Sequence, residues 1–236
     1  MRPTAVIVTG LALGLSAVGC AHQSAGEHAG WQREFGVAKR ALASSGRGTY
    51  FTLEPGTRAT YEGVEDGEPH RLIITVLNRT KPVDGVETRI VEEREWVAGK
   101  LEEVSRNYFA LDRATGDVYY FGEDVDMYKD GHVSNHEGSW QSGVKGARFG
   151  LGMPGSPYVG QRYYQEVAPS QAMDRAEIVS TTTSVTCPAG EFHNCVRTEE
   201  TSPLEPGTKE YKAYAPGVGL VVDGTLKLVK VETGTR

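Results

Sequence analysis

The chain has 236 residues, with 25 Lys and Arg against 31 Asp and Glu, for a formal net charge of −6 at neutral pH. That length can bury a full core as one domain, and the mild acidity without any Lys/Arg cluster excludes a nucleic-acid binder, whose phosphate contacts need concentrated positive charge. After the N-terminus, no apolar stretch approaches the roughly 20 residues that cross a bilayer as a helix.

The N-terminus reads Met1-Arg2-Pro3-Thr4, then an apolar run over residues 5–18, then Gly19-Cys20. One positive charge before a short apolar core is the pattern of an export signal. Ser16-Ala17-Val18-Gly19 ahead of Cys20 resembles the bacterial lipoprotein signal, in which small residues precede a Cys that becomes lipidated. Ala17 departs from the usual Leu, and ordinary cleavage after Ala17-Val18-Gly19 is the alternative. The expectation is a signal peptide over 1–19, removed to leave 217 residues and a net charge of −7 through loss of Arg2. A lipid on Cys20 then ties the chain to a membrane of the cell envelope. Ala21, rather than Asp, favours the outer membrane in a two-membrane source, facing the periplasm or the surface. Residues 21–30, AHQSAGEHAG, are small and polar, as a tether would be. Trp31, Phe35, Ala38 and Leu42 stand at helical spacing and predict a short helix within the 20–48 region.

From residue 49 the reading is almost entirely strand, and 49–236 is expected to be a single β domain. Residues 71–78 are β-branched and apolar on both faces, as in a central strand. Residues 85–98 and 100–112 make two long arms around Ala98-Gly99. Residues 118–128 and 133–140 flank Asp130-Gly131, a strong hairpin signal. Segments 163–167, 176–186, 192–201, 209–215 and 226–231 complete about ten strands. With no helical run between them, they predict an all-β fold: a curved antiparallel sheet, either a half-barrel or an open barrel.

Two local patterns qualify that picture. On 90–98, one face carries Ile90, Glu92, Arg94 and Trp96 and the other Val91, Glu93, Glu95 and Val97. Neither is cleanly apolar, so the sheet is expected to be covered at one end and wet at the other, not a dry lipid-carrying cavity. Leu-Glu-Pro-Gly-Thr occurs at 53–57 and again at 204–208. Pro-Gly at the centre of each suits a type II turn, and the echo reads as one turn that opens a strand, used twice.

Cys187 and Cys195 form an even pair in an exported chain, on the two arms of a hairpin that turns at Pro188-Ala189-Gly190. A disulfide that braces the hairpin is expected.

Other motif matches are weaker. Gly150-Leu151-Gly152-Met153-Pro154-Gly155 fits the dinucleotide fingerprint, but Pro154 and Pro157 exclude the helix it requires. Residues 143–160 read instead as one long Gly/Pro loop, a candidate binding rim. His132 and His136, near Asp124, Asp126 and Glu137, stand about 13 Å apart on a strand, too far for one ion. Adjacent acidic pairs point to opposite faces and make no acid/base dyad. Glu123 shares a face with Tyr119 and Phe121, and a carboxyl among aromatics can act as a general acid. No Ser sits in a G-x-S-x-G elbow.

The segments DVYYFGED, GSWQSGVKGARFGLGMPGSPYVGQRYYQE, VTCPAGEFHNCVRTEETSPLEPG and YAPGVGLV together resemble an uncharacterised family of β-rich bacterial lipoproteins, distantly similar to the half-barrels of Lol-type lipoprotein carriers. The resemblance covers about residues 49–222 and implies a curved antiparallel sheet with no catalytic residue to carry over. Cys187 departs from the apolar residue commoner in that family. The function expected is non-catalytic binding of a small amphipathic or lipid-like ligand, or of an envelope partner. Tyr119, Glu123, Trp140, Met153, Tyr163 and Tyr164 are the candidate contacts, with no cofactor and no metal. A structural subunit of an envelope assembly is the alternative, and a hydrolase using Glu123 ranks below both.

Overall fold

The computed structural model describes residues 30–233; the expected signal peptide, Cys20 and most of the expected tether lie outside them. Sixteen strands form one connected antiparallel system. In chain order they are β1 (Leu42–Ala43), β2 (Arg58–Glu65), β3 (Glu68–Val83), β4 (Val86–Val97), β5 (Lys100–Asp112) and β6 (Val118–Lys129). Then come β7 (His132–Asn135), β8 (Trp140–Gln141), β9 (Arg148–Met153), β10 (Arg162–Tyr164) and β11 (Glu166–Val167). The last are β12 (Arg175–Cys187), β13 (Gly190–Ser202), β14 (Glu205–Ala215), β15 (Gly219–Asp223) and β16 (Leu226–Glu232).

Thirteen of these run side by side in the order β10-β12-β13-β14-β15-β16-β2-β3-β4-β5-β6-β9-β11. The first and last strands of that path are consecutive in the chain. Tyr163 pairs with Ala176 of β12, while Glu166 pairs with Phe149 of β9. The six-residue stretch from Arg162 to Val167 therefore bridges the two edges and nearly closes the sheet into a barrel. The expected curved antiparallel sheet is what forms, with more strands than the ten anticipated. The surplus comes from short strands that carry little periodicity, such as β9, β11 and β15.

Turn chemistry sets the register of the long arms. Asp66-Gly67, Asp84-Gly85, Ala98-Gly99 and Asp130-Gly131 each place two residues at positive φ, between 48° and 85°. That is the two-residue turn whose twist matches the flanking strands. Register shifts interrupt most of the long pairings, for example between Val76 and Thr80 on β3 and three times along β12. Such bulges bend strands of this length around a barrel.

Several local expectations are corrected. Residues 31–43 do not form the short helix: burial alternates strictly from Trp31 to Arg40, and only Lys39–Ala41 makes a 3₁₀ turn. Trp31, Arg33, Phe35, Val37 and Lys39 turn inward with a period of two, so Ala38 is exposed. The segment is an extended strap: Phe35 packs edge-on against Tyr119, Lys39 bonds Asp84 at 2.7 Å, and Arg89 donates to the Ser44 carbonyl at 2.7 Å. The folded body thus begins well before residue 49.

The 143–160 segment is not one long loop, because β9 occupies its centre. Gly150 serves close packing, since a Cβ there would collide with the Gln165 carbonyl oxygen in the closing segment. The first LEPGT is the expected turn, with Gly56 at φ 87° and Thr57 N–H bonded to Glu54 O, just before β2. The second is not: that turn falls at Pro203-Leu204, and Pro206-Gly207 lie within β14, in a bulge.

The hairpin joining β12 and β13 turns at Pro188-Ala189 as expected, but no bridge crosses it. Cys187 pairs with Gly190 and Cys195 with Thr183, and both cysteines are buried free thiols. The bulges in this hairpin place each Cys opposite another residue, which the spacing alone could not show. Both pack in an apolar cluster with Tyr61, Leu72, Val221 and Leu228.

Candidate binding cavity

The alternating side chains that point into the barrel change character along its length. At one end Val76, Val91, Phe109, Leu111, Val118, Met153 and Tyr214 form an apolar cluster with the wholly buried Leu53. Beyond it lies a cavity of about 170 Å³, lined on its apolar side by Phe51, Ile74, Val76, Val91, Phe109 and Leu220. Two adjoining spaces of about 410 and 420 Å³ share its walls: Asp174, Glu200 and Asp223 line the first with it, and Glu103, Glu123 and Asp174 the second.

The mixed faces of β4 now have a reason. Val91 stands in the apolar part of the lumen, and two positions on Glu93 reaches the polar part. Glu95 lines the adjoining space. The opposite face of the same strands carries paired charge: Glu92 lies 2.8 Å from Arg94 and 3.6 Å from Arg106, and Arg106 also binds Asp126 at 2.9 Å.

Inside, charge is lopsided. Among the described residues lining the main cavity are seven carboxyl groups, on Glu93, Glu103, Glu123, Glu166, Asp174, Glu200 and Asp223, and one ammonium, on Lys212. Lys212 stands 3.2 Å from Asp223 Oδ1 and 3.3 Å from Glu200 Oε2. Burial opposes its charge, but Asp223, Glu200 and Glu210 outweigh that and hold the ammonium well above the usual lysine range. Burial pushes Glu93 and Glu123 up to about 7, against partial relief from Lys212 for the first and from the Tyr120 hydroxyl for the second. Glu166 is driven well above the carboxylate range by burial and by the neighbouring Asp174, although its Oε1 accepts the Asp174 N–H at 2.8 Å. A neutral polar ladder joins the two ends: Tyr120 donates to Asn107 Oδ1 at 2.6 Å, and Asn107 donates to Ser105 Oγ at 3.2 Å.

Of the six candidate contacts, Glu123 alone lines the lumen. Tyr119 and Tyr163 belong to the main core cluster, Met153 to the apolar end, and Tyr164 packs with Val167 and Met173. Trp140 sits behind the wall, edge-on to Tyr120 with ring centroids 5.3 Å apart. These residues are core because they fall on the packed faces of their strands or beside the closing segment. The lumen acids were missed apart from Glu123. Glu93 and Glu95 share a face legibly in the sequence, but Glu200 facing Glu210 needs the strand pairing to become visible.

The histidine pair behaves as solvated hairpin residues: His132 is exposed, and His136 Nδ1 sits 2.9 Å from the Val125 carbonyl oxygen and 3.0 Å from Asp126. Among the described residues no three His, Cys, Asp or Glu side chains converge as metal ligands, and no helix is long and apolar enough to cross a membrane.

The fold and its lumen define a barrel-like all-β domain with an internal cavity that is apolar at one end and acidic at the other. Compared with protein-family models, with curated proteins and with solved structures, the chain matches none.

Proposed function

We propose that this protein is an envelope lipoprotein whose barrel lumen binds a small amphipathic ligand, held near a membrane through Cys20. One observation carries the reading: the lumen grades from Phe51, Val76, Val91 and Phe109 to a wall of carboxyls within one cavity. Ligand sites are concave, largely apolar and provided with a few convergent polar groups. A structural core would instead be filled at native density, with its charges turned outward. Native mass spectrometry of the protein extracted from membranes should show a small-molecule adduct that disappears in the lumen-filling variant Val91→Trp. Empty protein, or an adduct indifferent to Val91→Trp, would remove the reading.

The assembly alternative has less support, because near closure leaves few sheet edges. The exposed β7 is four residues long and sits in a polar hairpin, a poor template for another chain. A hydrolase reading keeps one favourable observation, the Glu123 carboxyl at about 7 in a cavity wall, a value suited to general-acid work. Hydrolysis of a panel of ester and glycoside substrates that vanishes in Glu123→Gln would establish it.

A further inference from the structure

We infer that the head group this lumen takes is a cation, an amine on an apolar stem, seated among Glu93, Glu103, Glu123 and Asp223. The inference rests on the reading of the lumen as the ligand site and adds the charge class of the ligand. Three independent features of the wall point to it.

First, strand pairing sets like charges directly opposite each other inside the barrel. Glu95 faces Glu103 across β4 and β5, and Glu200 faces Glu210 across β13 and β14. Opposed like charges destabilise a sheet, and a fold tolerates them where something else compensates. Outside the barrel the comparable pair, Glu177 facing Glu199, is met by Arg162 and Lys209, each at 2.9 Å. Inside, His70 approaches Glu95 at 3.4 Å, and Lys212 serves Glu200 and Asp223 together. The protein's own cations meet only part of the lumen's negative charge.

Second, Asp223 is 3% exposed and neither of its carboxylate oxygens has a hydrogen-bond partner. The Lys212 ammonium makes ion-pair contact with Oδ1 at 3.2 Å. A buried carboxylate ordinarily collects several hydrogen bonds, so Asp223 keeps an unsatisfied acceptor, Oδ2, within the wall of the cavity it lines.

Third, the acids are spread along the wall and do not converge as metal ligands among the described residues. A distributed negative wall beside aromatic and aliphatic side chains suits an extended organic cation better than a bare ion. Phe51, Phe109, Tyr120 and Tyr214 line the same space, and ring faces attract ammonium groups.

The test is calorimetric titration of the mature, detergent-free protein at pH 8 with three eight-carbon probes below their micelle thresholds. These are octylammonium, octyl glucoside and octanoate. The cation is expected to bind at least about tenfold more tightly than the neutral probe, with the anion weaker still. That preference should shrink about tenfold in Glu123→Gln and in Asp223→Asn, with far-UV circular dichroism confirming that both variants fold. Should both variants misfold, the wild-type preference must still narrow when the titration is repeated at pH 5, where Glu93 and Glu123, both raised to about 7 by burial, hold protons. Equal affinity for cation and neutral probe overturns the charge class and leaves amphipath binding intact. No binding of any probe overturns both. Heat from calcium chloride in protein that ignores the ammonium probe would replace the organic cation with a metal and sink the inference.

Discussion

Lys212 and Asp223 are direct cross-strand partners on β14 and β15, with Nζ 3.2 Å from Oδ1, and together they anchor the polar half of the lumen. Breaking a buried ion pair by removing one member leaves the other uncompensated. Lys212→Met should therefore destabilise the protein by about 3–5 kcal/mol at pH 8 in urea denaturation. Part of that loss should return at pH 5.5, where Glu210, raised to about 7 by burial, takes up a proton and relieves the uncompensated charge. A pH-independent loss would show that Lys212 acts through packing alone.

The raised carboxyls make stability fall with increasing pH. Glu93, Glu123 and Glu210 each sit at about 7 in the folded protein against an ordinary value of 4.5, burial being the first cause in every case. The folded state thus holds more protons than the unfolded chain between those values. The stability they contribute is complete below pH 4.5 and is lost as pH rises through 7. The lowered groups Asp84, Asp124 and Glu199, held down chiefly by hydrogen bonds from lysine, tyrosine and serine partners that overcome any burial, act only below that window. The Tm should be several degrees lower at pH 8 than at pH 5.5, at about 2–4 °C per kcal/mol for a chain of this size. Glu123→Gln should flatten the slope and raise the Tm at pH 8. A Tm that climbs over this interval would contradict the placement of the acids.

Gly150 is required by the closing segment. A methyl group there would meet the Gln165 and Tyr164 carbonyl oxygens at 2.3 and 2.5 Å, so Gly150→Ala must push β10 and β11 off β9. A loss of about 1–3 kcal/mol is expected, as for other overpacked sites. Gly36→Ala, which meets nothing within 4 Å, should be nearly silent and serves as the control.

The two thiols in the hairpin are free and buried, and burial pushes the Cys195 thiol up, keeping it unreactive. Reductant should leave the Tm unchanged, and thiol reagents should count both cysteines only after unfolding. A Tm that drops on reduction would show that a bridge forms after all.

Much of the fold was legible because it is written locally. Asp-Gly and Ala-Gly turns, β-branched arms and the absence of helical runs fix antiparallel hairpins without any tertiary information. The mixed faces of residues 90–97 even announced a sheet covered at one end and wet at the other. What could not be read depends on which strands meet. Glu95 and Glu103 are eight residues apart in a hairpin, yet their opposition depends on a register shift between Glu95 and Trp96. Glu200 and Glu123 come to one cavity from distant segments, and no local pattern links them. The large aromatics chosen as contacts misled for a physical reason: bulky amphipathic side chains are as useful in a packed wall as at a binding surface, and Tyr119, Tyr163 and Tyr164 are spent on packing. The strap over residues 31–43 misled because Trp31, Phe35, Ala38 and Leu42 fit a helical period while Trp31, Arg33, Phe35, Val37 and Lys39 fit a strand period. Contact with Tyr119 and Tyr164 decided for the second.

The claim that the barrel interior is the ligand site is tested most directly by methyl NMR during addition of octylammonium. The methyl signals of Ile74, Val76 and Val91, which line the lumen, should shift together and saturate at one equivalent. Those of Val64 and Val159, more than 60% exposed on the outside, should stay in place. Movement of the exposed methyls with the three lumen signals unchanged would contradict the account.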